Sequence, residues 1–287
     1  MPSKDAPAIS AREQRAVRMI PYIVGCALFM QMLDSTVVAT ALPIMAASLN
    51  TDAIRMNTII TSYLLAVAVF VPISGWAADR FGARRIFILA IALFTLSSLA
   101  CAAAQTLNQL VAARIAQGTA GAMMVPVGRI ILLRRVPKDQ LLNAMAVLSL
   151  PALLGPIIGP PVGGFFATYM SWHWIFLINI PVGILGIFLV LHYIRIDIPH
   201  DPPPLDWFGF ILSAFASMAQ QLGISLGVAC AAVTLHISMT WRQSATVSPD
   251  DLFWGFLVIG GLTAISSLSF KRLAPDAGSA LQARKKE

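Results

Sequence analysis

Charged residues are scarce in this sequence. Of its 287 residues, 11% are Asp, Glu, Lys or Arg, whereas 57% are hydrophobic, and the mean hydropathy is +0.77. Soluble globular domains carry roughly 25% charged residues, so this composition does not fit a large water-soluble core. The scarcity of charge predicts a chain whose surface faces lipid rather than water.

Cysteine and histidine are also few, and neither is spaced for chemistry. The three cysteines lie in apolar stretches without a Cys-x-x-Cys spacing, which is typical of buried, unpaired thiols. The four histidines have no metal-ligand spacing, and the sequence shows no Ser/His/Asp set or nucleotide-binding loop. We therefore expect no enzyme activity, no catalytic residues, no metal site and no cofactor.

Long apolar stretches are what the sequence has in abundance. A membrane-spanning helix needs about 20 mainly apolar residues. The sequence contains seven clear stretches of this kind and an eighth, less regular candidate at 207–238. These stretches predict an all-α integral membrane protein with about eight spans. The seven clear candidates are 19–42, 57–78, 86–104, 109–133, 142–168, 173–192 and 252–270.

The basic residues are confined to alternate connections between these stretches. The net charge is +7, but the loops predicted to face outward hold only Arg55 and Arg242. This positive-inside pattern predicts that both termini lie in the cytoplasm of a multi-pass protein of the bacterial plasma (inner) membrane. Because topology accounts for the basic residues, we expect no nucleic-acid binding.

The chain divides at a proline-rich connection after the sixth stretch, where three consecutive prolines cannot continue a helix. The segment that follows, 207–238, is longer than one span needs, so it is either one tilted or kinked helix or lies partly in the interface. We predict a cytoplasmic tail at 1–18, a six-helix bundle at 19–195, a cytoplasmic linker at 196–206, two remaining spans within 207–273 and a disordered tail at 274–287.

Two ionisable residues lie inside apolar stretches, Asp34 in the first and Arg114 in the fourth. An ionisable side chain at mid-bilayer costs about 2.5–3.5 kcal/mol on insertion scales, so it usually has a function. Burial disfavours a charged carboxylate, and we predict that Asp34 exchanges a coupling proton while Arg114 biases its charge state. Alternatively, Asp34 snorkels or satisfies a neighbouring helix, and Arg114 bonds the backbone carbonyls of a broken helix.

Two further stretches combine glycine with charge or with proline. In the turn after the second stretch, glycines would allow close packing and a tight reversal, an aspartate would act on a helix N-terminus, and arginines would hold the cytoplasmic side. In the fifth stretch, glycines and prolines predict a kinked helix that packs very close to its neighbours. The turn residues are Gly75, Asp79, Arg80, Gly82, Arg84 and Arg85, and the helix residues are Gly155, Pro156, Gly159, Gly163 and Gly164.

Together these stretches resemble the major facilitator superfamily, most closely its fourteen-helix drug:proton antiporter branch. The turn at 75–85 is similar to the superfamily's loop between helices two and three, and the surroundings of Asp34 and Arg114 are similar to the branch's motifs in helices one and four. The fifth stretch is similar to the antiporter motif. The sequence departs from the family pattern at Ala39, where asparagine is common, and at His173, where arginine is common.

The resemblance covers about the first 195 residues, which implies the six-helix N-terminal bundle of the superfamily. Beyond them, 206–216 resembles the start of the branch's first extra helix, whereas the segments from 217 and at 253–270 resemble its last two helices. We therefore expect an internal deletion of about six spans' worth of sequence, joined near 213–217. An even number of lost spans leaves every remaining helix in its original orientation.

The resemblance implies efflux of hydrophobic or cationic small molecules, driven by inward proton flow. Asp34 would carry the proton, Arg114 would tune it, and the turn at 75–85 would gate the cytoplasmic side. Since the central cavity normally lies between two bundles, a shortened chain would need self-association or partner helices. The alternative is a non-transporting remnant, or a membrane subunit of the same family that associates with other helices.

Overall fold

The computed structural model describes residues 11–195 and 204–241, together with isolated positions at Phe253, Leu257, Gly260 and Gly261. The described part is helical, with no strand among its residues. Its helices are α1 (Ala11–Ser48), α2 (Ala53–Met56), α3 (Thr58–Phe70), α4 (Ile73–Phe81), α5 (Ala83–Ala102), α6 (Leu107–Arg135), α7 (Leu141–Tyr169), α8 (Trp174–Leu177), α9 (Asn179–Tyr193) and α10 (Trp207–Trp241).

The predicted all-α membrane architecture is confirmed. Five of the described helical segments are long and apolar enough to cross a bilayer, and a sixth arises if α3 and α4 form one span. These two helices are bent by 58° where Pro72, which has no backbone N–H to donate, caps α4. The segment 207–238 lies in the single helix α10, whereas the span predicted at 252–270 falls outside the described residues apart from four isolated positions.

The domain boundaries predicted from sequence remain expectations. The chain groups into two compact units, Met1–Met218 and Ala219–Glu287. Most of the predicted linker at 196–206, and all of the tail at 274–287, lie outside the described residues.

Two apolar clusters form the core of the first unit, and α1 contributes to both. Residues of α1 up to Met30 belong to the first cluster, with Phe87 and Phe94 of α5, and residues from Leu33 onward belong to the second, with Leu110 of α6. Helices α5 and α6 supply most of the other buried members of the first cluster, and α3, α4, α7 and α9 add a few, while α8 joins the second cluster. The clusters therefore leave a layer between them on several helices.

Helix α7 lies along α1 because its glycines remove side chains from the contact. A Cβ on Gly155 would stand 2.5 Å from the Cβ of Met32, and one on Gly159 would overlap the hydroxyl of Thr36. The Thr36 hydroxyl also donates to the carbonyl oxygen of Gly155, at 3.3 Å. The close packing predicted for this helix is therefore present, and Gly163 repeats it against Thr40.

Helix α7 runs without interruption from Leu141 to Tyr169, although Pro156 and three other prolines lie inside it. The kink expected from these prolines stays a prediction. Among the described residues, a Cβ on Gly164 would meet no heavy atom within 4 Å, so this glycine does not serve the contact with α1.

The difference between Gly159 and Gly164 gives a matched test of this contact. Gly159→Ala should destabilise the protein by about 1–3 kcal/mol, because its methyl group overpacks against Thr36. Gly164→Ala adds the same methyl group where no atom of the described residues lies within 4 Å, and it should not destabilise the protein. Thermal unfolding in detergent micelles measures both, and equal melting temperatures for the two variants would contradict the packing.

Candidate functional site

The two ionisable residues singled out in the sequence meet in the layer between the apolar clusters. Asp34 of α1 and Arg114 of α6 are each 1% exposed. The Nη1 atom of Arg114 donates to Oδ2 of Asp34 at 2.6 Å. The structure thus places a buried ion pair between residues 80 positions apart in the chain.

Three neutral side chains complete the surroundings of the carboxylate. Oδ1 of Asp34 accepts from the amide nitrogens of Gln117, at 3.1 Å, and Asn179, at 3.0 Å. The same two amide groups donate to the hydroxyl oxygen of Ser98, at 2.6 and 3.1 Å. Gln117 closes the network, because its Oε1 atom accepts from Nη1 of Arg114 at 2.6 Å.

This network lies where each helix passes from one apolar cluster to the other. Ser98 of α5 follows Phe94 of the first cluster and precedes Cys101 of the second. Asn179, the first residue of α9, follows Phe176 of the second cluster. The polar side chains therefore share one layer, so the low-dielectric clusters on both sides strengthen the interactions within it.

The guanidinium of Arg114 has further partners on α3. Its Nε atom donates to the carbonyl oxygen of Ile59 at 3.5 Å, and its Cζ atom lies 4.2 Å from the centroid of the Tyr63 ring. The ring of Phe176 lies farther away, at 6.0 Å. Arg114 therefore combines the two roles left open in the sequence, pairing with the acid and bonding a backbone carbonyl.

The carboxyl group of Asp34 meets hydrogen-bond donors from two helices. Every hydrogen bond that the structure gives it comes from one guanidinium or from two amide groups. Because these donors belong to α6 and α9, the carboxyl group joins α1 to both helices.

Some buried polar atoms beside the network have no hydrogen-bond partner among the described residues, including the Tyr63 hydroxyl, Oε1 of Gln31 and Oδ1 of Asn179. The Tyr63 hydroxyl and Nε2 of Gln31 lie 3.2 and 3.3 Å from where a Cβ of Gly121 would stand. The glycine at this position therefore lets α6 approach α1 and α3.

Sequence reasoning identified the charged pair but not the residues that hold it. Gln117 follows Arg114 by three positions and Gln31 precedes Asp34 by three, so the helical period could have placed each beside its charged neighbour. Ser98 carries no such signal, because hydroxyl groups are common in spans and it lies among apolar residues.

The predicted cytoplasmic turn joins α4 to α5 at Gly82. Its φ of 89° lies in a region that L side chains rarely adopt, so the tight reversal predicted for this glycine is present. Nη2 of Arg84 donates to the carbonyl oxygen of Leu191 at 2.9 Å, which ties the turn to α9. Arg80 lies in the last turn of α4, and Arg85 is exposed near the start of α5.

Gly75 and Asp79 of this turn differ in their contacts. Among the described residues, a Cβ on Gly75 would meet no heavy atom within 4 Å, so these residues do not supply the close packing expected at Gly75. Asp79 pairs with Arg134 near the carboxyl end of α6, at 2.5 Å, and its expected action on a helix N-terminus stays a prediction. The pair lies near the cytoplasmic ends expected for α4 and α6.

Comparison with known proteins gives the family. The family model described as Major Facilitator Superfamily matches residues 24–212, which is more than half of the chain. The chain belongs to the major facilitator superfamily, and it is a multi-pass membrane protein of the bacterial inner membrane type.

Several relatives carry the provisional name multidrug resistance protein MdtD. The protein from Cronobacter sakazakii is 48% identical over 248 residues, which cover 86% of this chain and 49% of the relative. The protein from Klebsiella pneumoniae subsp. pneumoniae is 56% identical over 250 residues, covering 87% and 49%. The chain thus spans about half the length of the curated relatives it matches.

Solved structures agree on the fold. A mutant of the peptide transporter POT in complex with sulfate matches with a TM-score of 0.58 at 16% identity, covering 77% of this chain and 50% of the other. A POT family transporter in complex with 5-aminolevulinic acid matches with a TM-score of 0.57 at 15% identity, covering 89% and 51%. At such identities, the likeness concerns the fold alone.

The buried ion pair can be tested by a double-mutant cycle. Asp34→Asn should destabilise the protein by about 3–5 kcal/mol, because it leaves the guanidinium of Arg114 buried without its counter-charge. Arg114→Gln should destabilise the protein by a similar amount, because it leaves the carboxylate of Asp34 buried without its counter-charge. The double variant should lose less stability than the sum of the losses in the two single variants, since neither charge is then buried without a partner. Unfolding in detergent micelles measures all three variants.

Asp52→Asn is the matched control for that cycle. Asp52 pairs with Arg55 at 3.5 Å, but both side chains are more than half exposed. Losing this pair should therefore lower the stability of the protein by at most about 1 kcal/mol. Strictly additive effects of the changes at Asp34 and Arg114 would show that the two residues do not stabilise each other.

Proposed function

We propose that this chain is a proton-coupled transporter of the multidrug-efflux type, which moves hydrophobic or cationic small molecules out of the cell in exchange for protons. The observation that carries this proposal is the ion pair between Asp34 and Arg114 in the buried layer. Membership of the superfamily and relatives named for multidrug resistance support it.

Proton loading on Asp34 would act on α1 selectively. Once the carboxylate is neutral, its attraction to the guanidinium falls to that of a neutral group. Arg114 would remain held by Gln117 on its own helix and by Ile59 and Tyr63 on α3. The amides of Gln117 and Asn179 would keep Ser98 as an acceptor. Protonation therefore loosens α1 while α3, α5, α6 and α9 stay connected.

Helix α7 would follow α1 in this step. Gly155, Gly159 and Gly163 bring the two helices into contact over more than two turns. Because packed helices move as units rather than deform continuously, a shift of α1 would move α7 with it. This is the role we assign to the glycine- and proline-rich helix predicted as the antiporter helix.

The cytoplasmic turn would gate the inner side. Asp79 joins the end of α4 to α6 through Arg134, and Arg84 joins the start of α5 to α9. The side chains of the Asp79 pair are 40% and 43% exposed, so this pair contributes at most about 1 kcal/mol and can open during transport. Arg80 and Arg85 would keep this end at the cytoplasmic surface.

The extent of the described helices bears on how the activity is assembled. The chain spans about half the length of the relatives, and a central cavity between two bundles would require helices beyond those of the described bundle. The same observation favours a second candidate function, a membrane subunit of this family that associates with other helices and does not itself transport.

A proteoliposome assay separates the two functions. Purified wild-type protein should dissipate an imposed pH gradient when a lipophilic cation is added, because each exported cation is exchanged for a proton. Asp34→Asn should reduce this response to the level of empty liposomes, and Asp34→Glu should retain part of it, because it keeps an ionisable carboxyl group. Fluorescence of a pH-sensitive dye inside the liposomes measures the gradient.

Asp52→Asn serves as the control, since Asp52 lies in an exposed pair outside the buried layer, and it should respond like the wild type. Thermal unfolding of each preparation establishes that the protein is folded. A folded wild type without any response would favour the non-transporting subunit. A full response from Asp34→Asn would remove Asp34 from the coupling mechanism.

A further inference from the structure

Two buried polar groups beside the ion pair make no hydrogen bonds in the arrangement that surrounds Asp34. The hydroxyl group of Tyr63 and the Oε1 atom of Gln31 have no hydrogen-bond partner among the described residues. Tyr63 is 2% exposed and Gln31 is 7% exposed, so both side chains are enclosed by the bundle. Because an unpaired polar atom is costly to bury, we expect the two groups to find a partner in another state of the protein.

Both groups flank the carboxyl group of Asp34. Gln31 precedes Asp34 by three positions on α1, and side chains at that spacing are neighbours on one face of a helix. The ring centroid of Tyr63 lies 4.2 Å from Cζ of Arg114. The same guanidinium donates to the carboxylate of Asp34 at 2.6 Å, so Tyr63 is held beside the ion pair.

Helix α6 shows that the two groups also lie close to each other. The position that a Cβ of Gly121 would take is 3.2 Å from the hydroxyl oxygen of Tyr63 and 3.3 Å from Nε2 of Gln31. Because one point lies this close to both groups, the hydroxyl of Tyr63 and the amide of Gln31 are neighbours. A single small group can therefore bond both of them.

The two groups match the hydrogen bonding of a protonated carboxyl group, which has one O–H donor and a carbonyl oxygen that accepts. The hydroxyl of Tyr63 can donate to that oxygen, and Oε1 of Gln31 can accept from the O–H. Asn179 also has an unpartnered oxygen. Its amide nitrogen already donates to Asp34 and Ser98, however, so it offers an acceptor without a free donor.

We propose that Tyr63 and Gln31 form a second site for the carboxyl group of Asp34, which it occupies when it is protonated. The O–H of Asp34 donates there to Oε1 of Gln31, its carbonyl oxygen accepts from the hydroxyl of Tyr63, and the proton stays on Asp34. This second site rests on the proposed function, in which Asp34 takes up a proton.

The second site lies on the side of Asp34 toward which the proton would travel. Gln31 is about 4.5 Å nearer than Asp34 to the beginning of α1, from the rise of 1.5 Å per residue. The positive-inside pattern places that end of α1 in the cytoplasm. Side chains on a helix also lean toward its N-terminus, so the carboxyl group of Asp34 needs only a side-chain rotation to turn toward Gln31.

Asp34→Asn tests the second site without transport, because an amide is neutral and has both a donor and an acceptor. In the wild type, Tyr63→Phe should not lower the melting temperature, since the hydroxyl that it removes makes no hydrogen bond with the described residues. In the Asp34→Asn background the same change should lower the melting temperature by about 2–4 °C, because the hydroxyl then has a partner. Thermal unfolding of the full chain in detergent micelles measures both effects.

Tyr22→Phe is the matched control, because Tyr22 also lies on a spanning helix, α1, but is 55% exposed. It removes the same hydroxyl group and should change the melting temperature equally in both backgrounds. Equal effects of Tyr63→Phe in the two backgrounds would overturn the second site, and would include the case in which Tyr63 and Gln31 bond each other. This outcome is independent of whether the wild type exchanges protons.

Infrared difference spectroscopy of the reconstituted protein observes the protonated carboxyl group itself. Losing a hydrogen bond raises the frequency of its carbonyl stretch, so the band that Asp34→Asn removes should move to higher frequency in Tyr63→Phe and in Gln31→Leu. The band should not move in Tyr22→Phe.

The outcomes separate the second site from the proposed function. A band that is present in the wild type but does not move in Tyr63→Phe would overturn the second site and leave proton exchange at Asp34 intact. A folded wild type without this band would contradict the proposed function and the second site together. Should Gln31→Leu fail to fold, Tyr63→Phe carries the test, because it removes one oxygen atom and keeps the ring that packs against Arg114.

Discussion

The structure depends on one constraint, the burial of a carboxylate and a guanidinium inside an otherwise apolar bundle. Removing two charges from water is expensive, and their mutual attraction compensates only when hydrogen bonds satisfy the remaining atoms. Gln117, Asn179 and Ser98 supply such bonds around Asp34, while Ile59 and Tyr63 face Arg114. Because these partners come from different helices, the ion pair fixes how the helices are placed. The layer is narrow, since apolar clusters bound it on each side.

The same buried ion pair makes the site sensitive to a change in the charge of Asp34. Among the described residues, Asp34 is the one member of this hydrogen-bonded network that α1 contributes, so in the proposed function a change in its charge would act mainly on the position of that helix. Close packing at Gly155 and Gly159 carries such a change to α7. At the cytoplasmic end, pairs such as Asp79 with Arg134 are exposed and weak enough to exchange. A strong buried pair and weak surface pairs thus suit a proton-driven rearrangement of helices, which is the function we propose.

Sequence reasoning could find the features that violate the rules for a membrane span. Asp34 and Arg114 are visible because charge is rare in apolar stretches, and Gly155 and Gly159 because glycine and proline are unusual within a long helix. It could not find Ser98, because a hydroxyl group is common in membrane spans and does not stand out from the apolar residues around it as a charged group does. It could not tell that Gly75 and Gly164 lack a close neighbour among the described residues, because composition shows that a glycine is present but not which side of the helix has a neighbour.

The most direct test follows the proton itself. Infrared difference spectroscopy of the reconstituted protein detects the carbonyl stretch of a protonated carboxyl group. On acidification with a lipophilic cation present, the account predicts a new protonated-carboxyl band in the wild type that is missing from Asp34→Asn and retained in Asp52→Asn. A folded wild type whose band is unchanged by Asp34→Asn would contradict the claim that this buried carboxylate exchanges a proton.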